Sequence, residues 1–341
     1  MNIAGHSLDE QVFIVAEIGN NHEGNFAVAQ ELIRQAAACG VDAVKFQTFR
    51  TEHYVSARDQ ARFRRLQSFQ LTFAQFAELG ALARQLGLKF FSTPFDLESA
   101  RFLAGVGDCF KIASGDNDFF PLIDEVLNEA LKTDKAVLIS SGASDLAHVE
   151  RTVDFVRQRL RGQPLAQRLA LLHCVSAYPV PPEQANLRAI ATLAARFDCP
   201  IGYSDHTRGT DAAPLAVALG ARIVEKHFTL DHAYSDFRDH QLSADPPEMR
   251  ELVARERAAE TLLGSPDKRV QPSEEGSVAA IRRSIVAGRD LPAGHRITIG
   301  DLTWIRPAGG LKPGEEARLI GKALRRAVGF GEQLGEAVVG P

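Results

Sequence analysis

Short, nearly continuous apolar runs recur along the chain as far as Leu263. They lie at Val12–Gly19, Asp42–Thr48, Lys89–Phe95, Cys109–Ser114, Ala136–Ser141, Leu169–Val175, Ile201–Thr207 and Arg222–Phe228. Between them come longer stretches in which Ala, Leu and small residues repeat at three- and four-residue spacing: Ala27–Cys39, Phe73–Leu86, Leu122–Lys132, Leu146–Leu160 and Ala212–Leu219. The short runs predict strands buried on both faces, as in parallel sheets. Alternating strands and helices in eight units predict an α/β fold, the (β/α)8 TIM barrel. An open doubly wound sheet would want a Gly-x-Gly-x-x-Gly turn after the first strand, and none is present.

A last helix is expected over Pro246–Leu263. The polar stretch GSPDKRVQPSEEGS then reads as a linker. From Ile281 onward, brief β-like runs are broken by Gly and Pro, which predicts a small β-rich module. The expected division is a barrel over 1–264, a linker over 265–280 and the module over 281–341.

Each expected strand turns polar at its C-terminal end. The first ends in Glu17, followed by Asn20, Asn21, His22 and Glu23. The second ends in Lys45, Gln47 and Thr48, the third in Ser92 and Thr93. The fourth holds Lys111 and Ser114, with Asp116 beyond, and the fifth Ser140 and Ser141. The sixth supplies His173, Ser176 and Tyr178. The seventh ends in Ser204, Asp205, His206 and Thr207, the eighth in Glu225, Lys226 and His227. In a (β/α)8 barrel these ends form the active-site face.

The residue types narrow the chemistry. Lys45 and Lys111 beside Thr93, Ser114, Ser140 and Ser204 would make a pocket of ammonium and hydroxyl donors, suited to a phosphate or carboxylate. Salt bridges to Glu17 or Glu225 inside the barrel are the structural alternative for each lysine. His206 and His227 end neighbouring strands, about 4.8 Å apart. They can share one divalent ion in an open Lewis-acid site, or be two hydrogen-bonded histidines. Asp205 and Glu225 lie close to them in sequence. Glu17 and Glu225 are placed to act as acid or base, or to neutralise the lysines. Glu225 and His227 are two apart and share a strand face, whereas Lys226 points away. His173 reads as a core histidine, and His232 and Asp236 as solvated loop residues.

Bulk properties exclude other classes. The 341 residues are 45% hydrophobic and 24% charged, with a net charge of −4. That balance gives no general attraction to nucleic acid or anionic membranes. No apolar run reaches transmembrane length, and the first residues do not read as a secretory signal. Cys39, Cys109, Cys174 and Cys199 are scattered, as expected of thiols in a reducing cytoplasm.

The segments AEIGNNHEG, DAVKFQTF, FFSTPFD, FKIASGD, HCVSAYPVP, GYSDHTRG and EKHFTLD follow one another in this order. Together they resemble the sialic acid synthase family, the N-acetylneuraminate synthases and their legionaminic and pseudaminic acid relatives. The tail RRSIVAGRDLPAGHRITIGDLTWIRPAGGL…IGKAL is similar to the antifreeze-like (SAF) domain that ends those enzymes. The resemblance implies condensation of phosphoenolpyruvate with the open-chain aldehyde of an N-acetylated hexosamine, releasing phosphate. It implies that Lys45, Thr93, Lys111, Ser114, Ser140, Ser176 and Ser204 hold phosphoenolpyruvate. His206 and His227 would bind Mn²⁺, or Mg²⁺ or Co²⁺. Gln47, Tyr178 and Asp239 would face the sugar. Arg306 would reach the acyl group in the partner subunit, in a domain-swapped homodimer. Of the two carboxylates, Glu225 is the favoured base for the water that traps C2, with Glu17 the alternative.

Two segments depart from the family. Ser140–Ser141–Gly142–Ala143 stands where Ser-Thr-Gly-Met is usual, and Phe237–Arg238–Asp239–His240 where Gly-Pro-Asp-His is usual. The acceptor sugar is therefore left open. A rival reading is a phosphoenolpyruvate-dependent synthase of the shikimate or Kdo type, whose phosphorylated acceptor would need arginines at the mouth; Arg50 and Arg208 are the candidates. A third is a non-catalytic sugar- or ice-binding protein, which should have lost its strand-end groups.

Overall fold

The computed structural model describes residues 1–340 and divides the chain into two compact units, Met1–Gly264 and Ser265–Pro341. In the first unit eight parallel strands close into a barrel: β1 Phe13–Gly19, β2 Ala43–Thr48, β3 Lys89–Pro94, β4 Phe110–Ile112, β5 Val137–Ser140, β6 Leu169–Cys174, β7 Ile201–Asp205 and β8 Ile223–His227. Sequential neighbours pair throughout, and β8 closes on β1. Each strand falls inside its expected apolar run, with one or two residues trimmed from most ends.

Nine longer helices surround the barrel: α1 Phe26–Cys39, α2 Gln60–Phe69, α3 Phe73–Gln85, α4 Leu97–Val106, α5 Phe120–Thr133, α6 Leu146–Leu160, α7 Ala189–Arg196, α8 Ala212–Ala218 and α9 Pro246–Leu263. Local signals set several of their starts. Asn25, Asp96 and Asp145 accept backbone N–H bonds at the N-termini of α1, α4 and α6, while Thr72 and Asp245 form full capping boxes on α3 and α9. The apolar faces of the helices pack on the outward faces of the strands.

The inside of the barrel holds a separate apolar layer that includes Phe13, Val15, Ala43, Phe91, Leu138, Leu172 and Ile223. Ile3 and Leu8 join that layer from a short N-terminal hairpin, Asn2–Ile3 against His6–Ser7, which the sequence pattern did not reveal. The layer fills the N-terminal end of the barrel, so polar groups collect at the opposite end.

In the second unit, β9 Ser284–Ala287 pairs antiparallel with β10 Leu302–Ile305 over a core containing Ile285, Leu291, Ile297, Leu319, Leu324 and Leu334. Asp301 pins one loop, accepting bonds from Arg289, Thr298 and His295. The stretch 265–280 belongs to this unit and carries helical turns at Pro272–Glu274 and Val278–Ile281. Among the described residues, no helix is long and apolar enough to cross a membrane, and all four cysteines are free.

Candidate active site

Strand register assembles the site. Glu17 of β1 lies opposite Lys45 of β2 on one side and His227 of β8 on the other. Gln47 lies opposite Thr93, and Glu225 opposite Ser204. The interior parity that places Phe13 and Val15 in the apolar layer continues to Glu17. The same stepping runs from Ile223 to Glu225 and His227. Glu17, Lys45, Gln47, Thr93, Lys111, Ser114, Ser140, Tyr178, Ser204, His206, Glu225 and His227 line one cavity of about 60 Å³. Cys174 joins them, a residue the sequence analysis had set aside as an ordinary thiol.

The charged groups form a chain. Lys45 Nζ lies 3.0 Å from Glu17 Oε2, 3.4 Å from Glu225 Oε2 and 3.3 Å from Thr93 Oγ1. Lys111 Nζ donates to Ser140 Oγ at 2.6 Å, and Ser204 Oγ donates to Glu225 Oε1 at 2.8 Å. Gln47 Nε2 donates to Glu17 Oε1 at 3.3 Å, while Asn20 Nδ2 donates to Gln47 Oε1 at 2.8 Å. The salt-bridge alternative for the lysines thus coexists with the donor pocket.

The two carboxylates are pushed apart. Burial, together with the nearby Glu225 charge, raises Glu17 to about 7 against the pull of Lys45. Glu225 is equally buried, but Lys111, Lys45 and the Ser204 hydroxyl outweigh burial and lower it to about 2. One carboxylate is firmly ionised, and the other titrates near neutrality.

The imidazoles of His206 and His227 lie 5.4 Å apart, and Tyr178 packs 4.2 Å from His206. His206 Nδ1 bonds to the Val175 carbonyl at 2.9 Å, which leaves its Nε2 free as an acceptor. His227 Nδ1 is buried with no hydrogen-bond partner among the described residues. Burial and the surrounding cations keep His227 neutral, far below the usual histidine range. A neutral His227 with an unpartnered ring nitrogen, beside a His206 whose Nε2 is left open, fits a divalent cation.

Asp205 does not belong to this site, although its sequence position suggested so. Its parity turns it outward, where it accepts from Lys226 at 3.0 Å, Tyr203 at 3.1 Å and the Thr207 backbone at 2.8 Å. Lys226 faces outward with it, as its parity implied. His173 also faces outward and bonds to the Ala185 carbonyl at 2.9 Å. Ser176 lies beside the cavity rather than in it, on a neighbouring groove of about 760 Å³. A Cβ on Gly142 would stand 2.4 Å from Ser176 Oγ and 2.7 Å from Ser114 Oγ, so glycine alone lets both hydroxyls close on that turn.

A second cavity, of about 230 Å³, opens beside the first and shares Gln47, Tyr178 and His227 with it. Asp239 lines it, together with Tyr54, Phe69, Phe237 and the arginines Arg62, Arg65 and Arg238. Sequence reasoning missed Arg62 and Arg65; the signal was there in ARFRRLQSFQ, an amphipathic segment that forms α2. Of the arginines it did name, Arg50 is committed to Glu98 at 3.2 Å and to the Phe73 ring. His240 is buried between Glu23 and Thr229. His232 is not simply solvated, since its Nε2 lies 3.1 Å from Glu248 at the start of α9. Arg306 is exposed in the second unit.

With the barrel, the strand-end cavity and the tail module in view, comparison with known proteins decides the family. Residues 32–268 match the NeuB family and residues 282–337 the SAF domain. The chain belongs to the NeuB family. It is 38% identical to the N,N'-diacetyllegionaminic acid synthase of Legionella pneumophila, over 94% of this chain and 93% of that protein. It is 35% identical to the N-acetylneuraminate-9-phosphate synthase of Mus musculus, over 92% and 88%. Among solved structures it is similar to the N-acetylneuraminic acid (sialic acid) synthetase of Leptospira borgpetersenii in complex with citrate, at 32% identity and a TM-score of 0.73, covering 79% and 90% of the two chains. This NeuB-family chain is an enzyme, a synthase of the nonulosonic-acid type.

Proposed function

We propose that this enzyme condenses phosphoenolpyruvate with the open-chain aldehyde of an N-acetylated hexosamine, forming a 2-keto acid and releasing phosphate. The observation that carries the reading is the convergence of two lysines, two carboxylates and two histidines on one small polar cavity at the barrel mouth. Lys45 and Lys111, with Thr93, Ser114, Ser140 and Ser204, hold the phosphoenolpyruvate anion and orient its methylene carbon. Ser176 supports this group through the Gly142 turn.

His206 and His227 would hold the divalent cation, Mn²⁺ or a similar ion, which when bound supplies Lewis acidity to the aldehyde oxygen. Gln47, Tyr178 and Asp239 face the sugar and fix its chain. The enol carbon forms a bond to the aldehyde carbon while the carbonyl π pair moves to the aldehyde oxygen, which takes a proton and becomes a hydroxyl; C2 becomes oxocarbenium-like, and water adds there. The resulting tetrahedral centre expels phosphate to leave the 2-keto group. Glu17, with a pKa of about 7, is the better acceptor for the water proton. Glu225, preferred on sequence grounds, is too weak a base at about 2; its lasting charge instead keeps the lysines cationic. Arg306 completes the acyl contact from a partner subunit in a swapped homodimer.

The names of the relatives span products with and without a phosphate. Phosphate release from phosphoenolpyruvate, measured with a panel of aldoses with and without Mn²⁺, tests the reading. Release should require both an N-acetylated aldose and the cation. No release with any aldose would sink it, and release only with phosphorylated sugars lacking an N-acyl group would favour the shikimate- or Kdo-type rival.

A further inference from the structure

We infer that the acceptor carries a phosphate monoester at the end remote from its aldehyde, held by Arg62, Arg65 and Arg238. The inference rests on the phosphoenolpyruvate–aldose reading above and names the substrate class of that site. Three guanidinium groups gather in the second cavity, which is continuous with the first through Gln47, Tyr178 and His227. An acceptor with its aldehyde beside the histidines would run along Tyr178 into this space.

The arginines are placed there by the fold. On α2, positions 62, 65, 66 and 69 share one helical face, and all four line the cavity. Phe69 is buried and meets Phe237 edge-to-face at 5.1 Å, which ties the C-terminal end of α2 to the loop after β8. On the other side of that end, a Cβ on Gly24 would stand 2.0 Å from the Ser68 carbonyl; the left-handed glycine, φ +80°, gives the helix its seat. The helix is therefore held against the mouth, and its arginine face is aimed rather than incidental.

The charge in this cavity is unbalanced. Arg62 and Arg65 make no ion pair among the described residues; Arg62 lies 5.8 Å from the Tyr54 ring centroid. Arg238 stacks 4.4 Å over Tyr178 and contacts Asp239 at 3.3 Å. Three guanidiniums against one carboxylate suit a dianion with several acceptor oxygens, which a phosphate monoester supplies and a neutral sugar hydroxyl does not. Arg238 also stands in the segment where the family pattern has Gly-Pro, so the loop that departs from the pattern brings one of the three charges.

The test compares N-acetylmannosamine with N-acetylmannosamine 6-phosphate as acceptors for the full-length protein, with phosphoenolpyruvate and Mn²⁺. The kcat/KM for the phosphorylated acceptor should exceed that for the neutral one by about 10- to 100-fold. This ratio should narrow as salt is raised. The double variant Arg62→Ala/Arg65→Ala should cut the ratio at least tenfold, chiefly through KM, and Arg62→Lys/Arg65→Lys should restore part of it. A ratio at or below one would overturn the inference while leaving the parent reading intact. So would an unchanged ratio in the alanine variant, or a stronger preference for a sugar ending in a carboxylate. If the alanine variant loses its oligomeric state in sedimentation with the ratio unchanged, the arginines serve subunit contact instead. No turnover with any acceptor would remove the parent reading, and this inference with it.

Discussion

On β7 and β8, two buried polar pairs sit one residue apart and face opposite ways. Outward, Lys226 and Asp205 are 1% and 0% exposed, and Asp205 accepts from Lys226, Tyr203 and Thr207. Inward, Ser204 and Glu225 join Lys45, which is divided between two carboxylates at 3.0 and 3.4 Å. Glu17 Oε2 has no aligned hydrogen bond there, and a cavity adjoins the group. The residue types are nearly the same, but one pair is saturated and the other is not. A saturated pair holds strands to helices, and a frustrated one has capacity left for a ligand and keeps its pKa values apart.

The comparison can be broken at either end. The largest effect is expected inside the barrel. Glu17→Gln should lower kcat by about 10²–10⁴-fold and abolish the rise in kcat as pH passes through about 7, with no loss of melting temperature. Steady-state pH profiles check this; an unaltered profile would return the base to Glu225. Outside the barrel, Lys226→Met leaves Asp205 buried without its cation. It should cost about 3–5 kcal/mol and lower the melting temperature on the order of 10 °C, while the folded fraction keeps turning over. Loss of turnover at full stability would show that the outward pair is not merely structural.

The smallest effect concerns pH and stability. Glu17 has its folded pKa raised from 4.5 to about 7, so the folded chain holds a proton that the unfolded chain releases. That contribution is complete below 4.5 and is lost as pH rises toward 7, by no more than about 3 kcal/mol. Denaturant unfolding of wild type and Glu17→Gln between pH 4.5 and 8 should give a decline in the first and a flatter curve in the second.

Most of the inner site was legible because barrel strands alternate strictly. Stepping by two from the apolar residues Phe13, Ala43, Phe91, Cys109, Leu138 and Ile223 reaches Glu17, Lys45, Thr93, Lys111, Ser140 and Glu225. The same stepping excludes Asp205, which proximity in sequence had wrongly drawn toward the histidines. Beyond the strands the rule stops. Arg62 and Arg65 come to the mouth on α2, a helix inserted between β2 and α3, and only tertiary contacts aim it. Nor does sequence reveal how far two neighbouring carboxylates are driven apart, since burial and lysine distance decide that.

The edge-to-face contact of Phe69 with Phe237 bears on redesign. It couples two segments far apart in sequence into one unit that borders the second cavity. Grafting Ser235–His240 from a relative, to alter what the enzyme accepts, would leave Phe69 facing a surface it was not shaped for. The helix and the loop should be exchanged together, as a single specificity cassette.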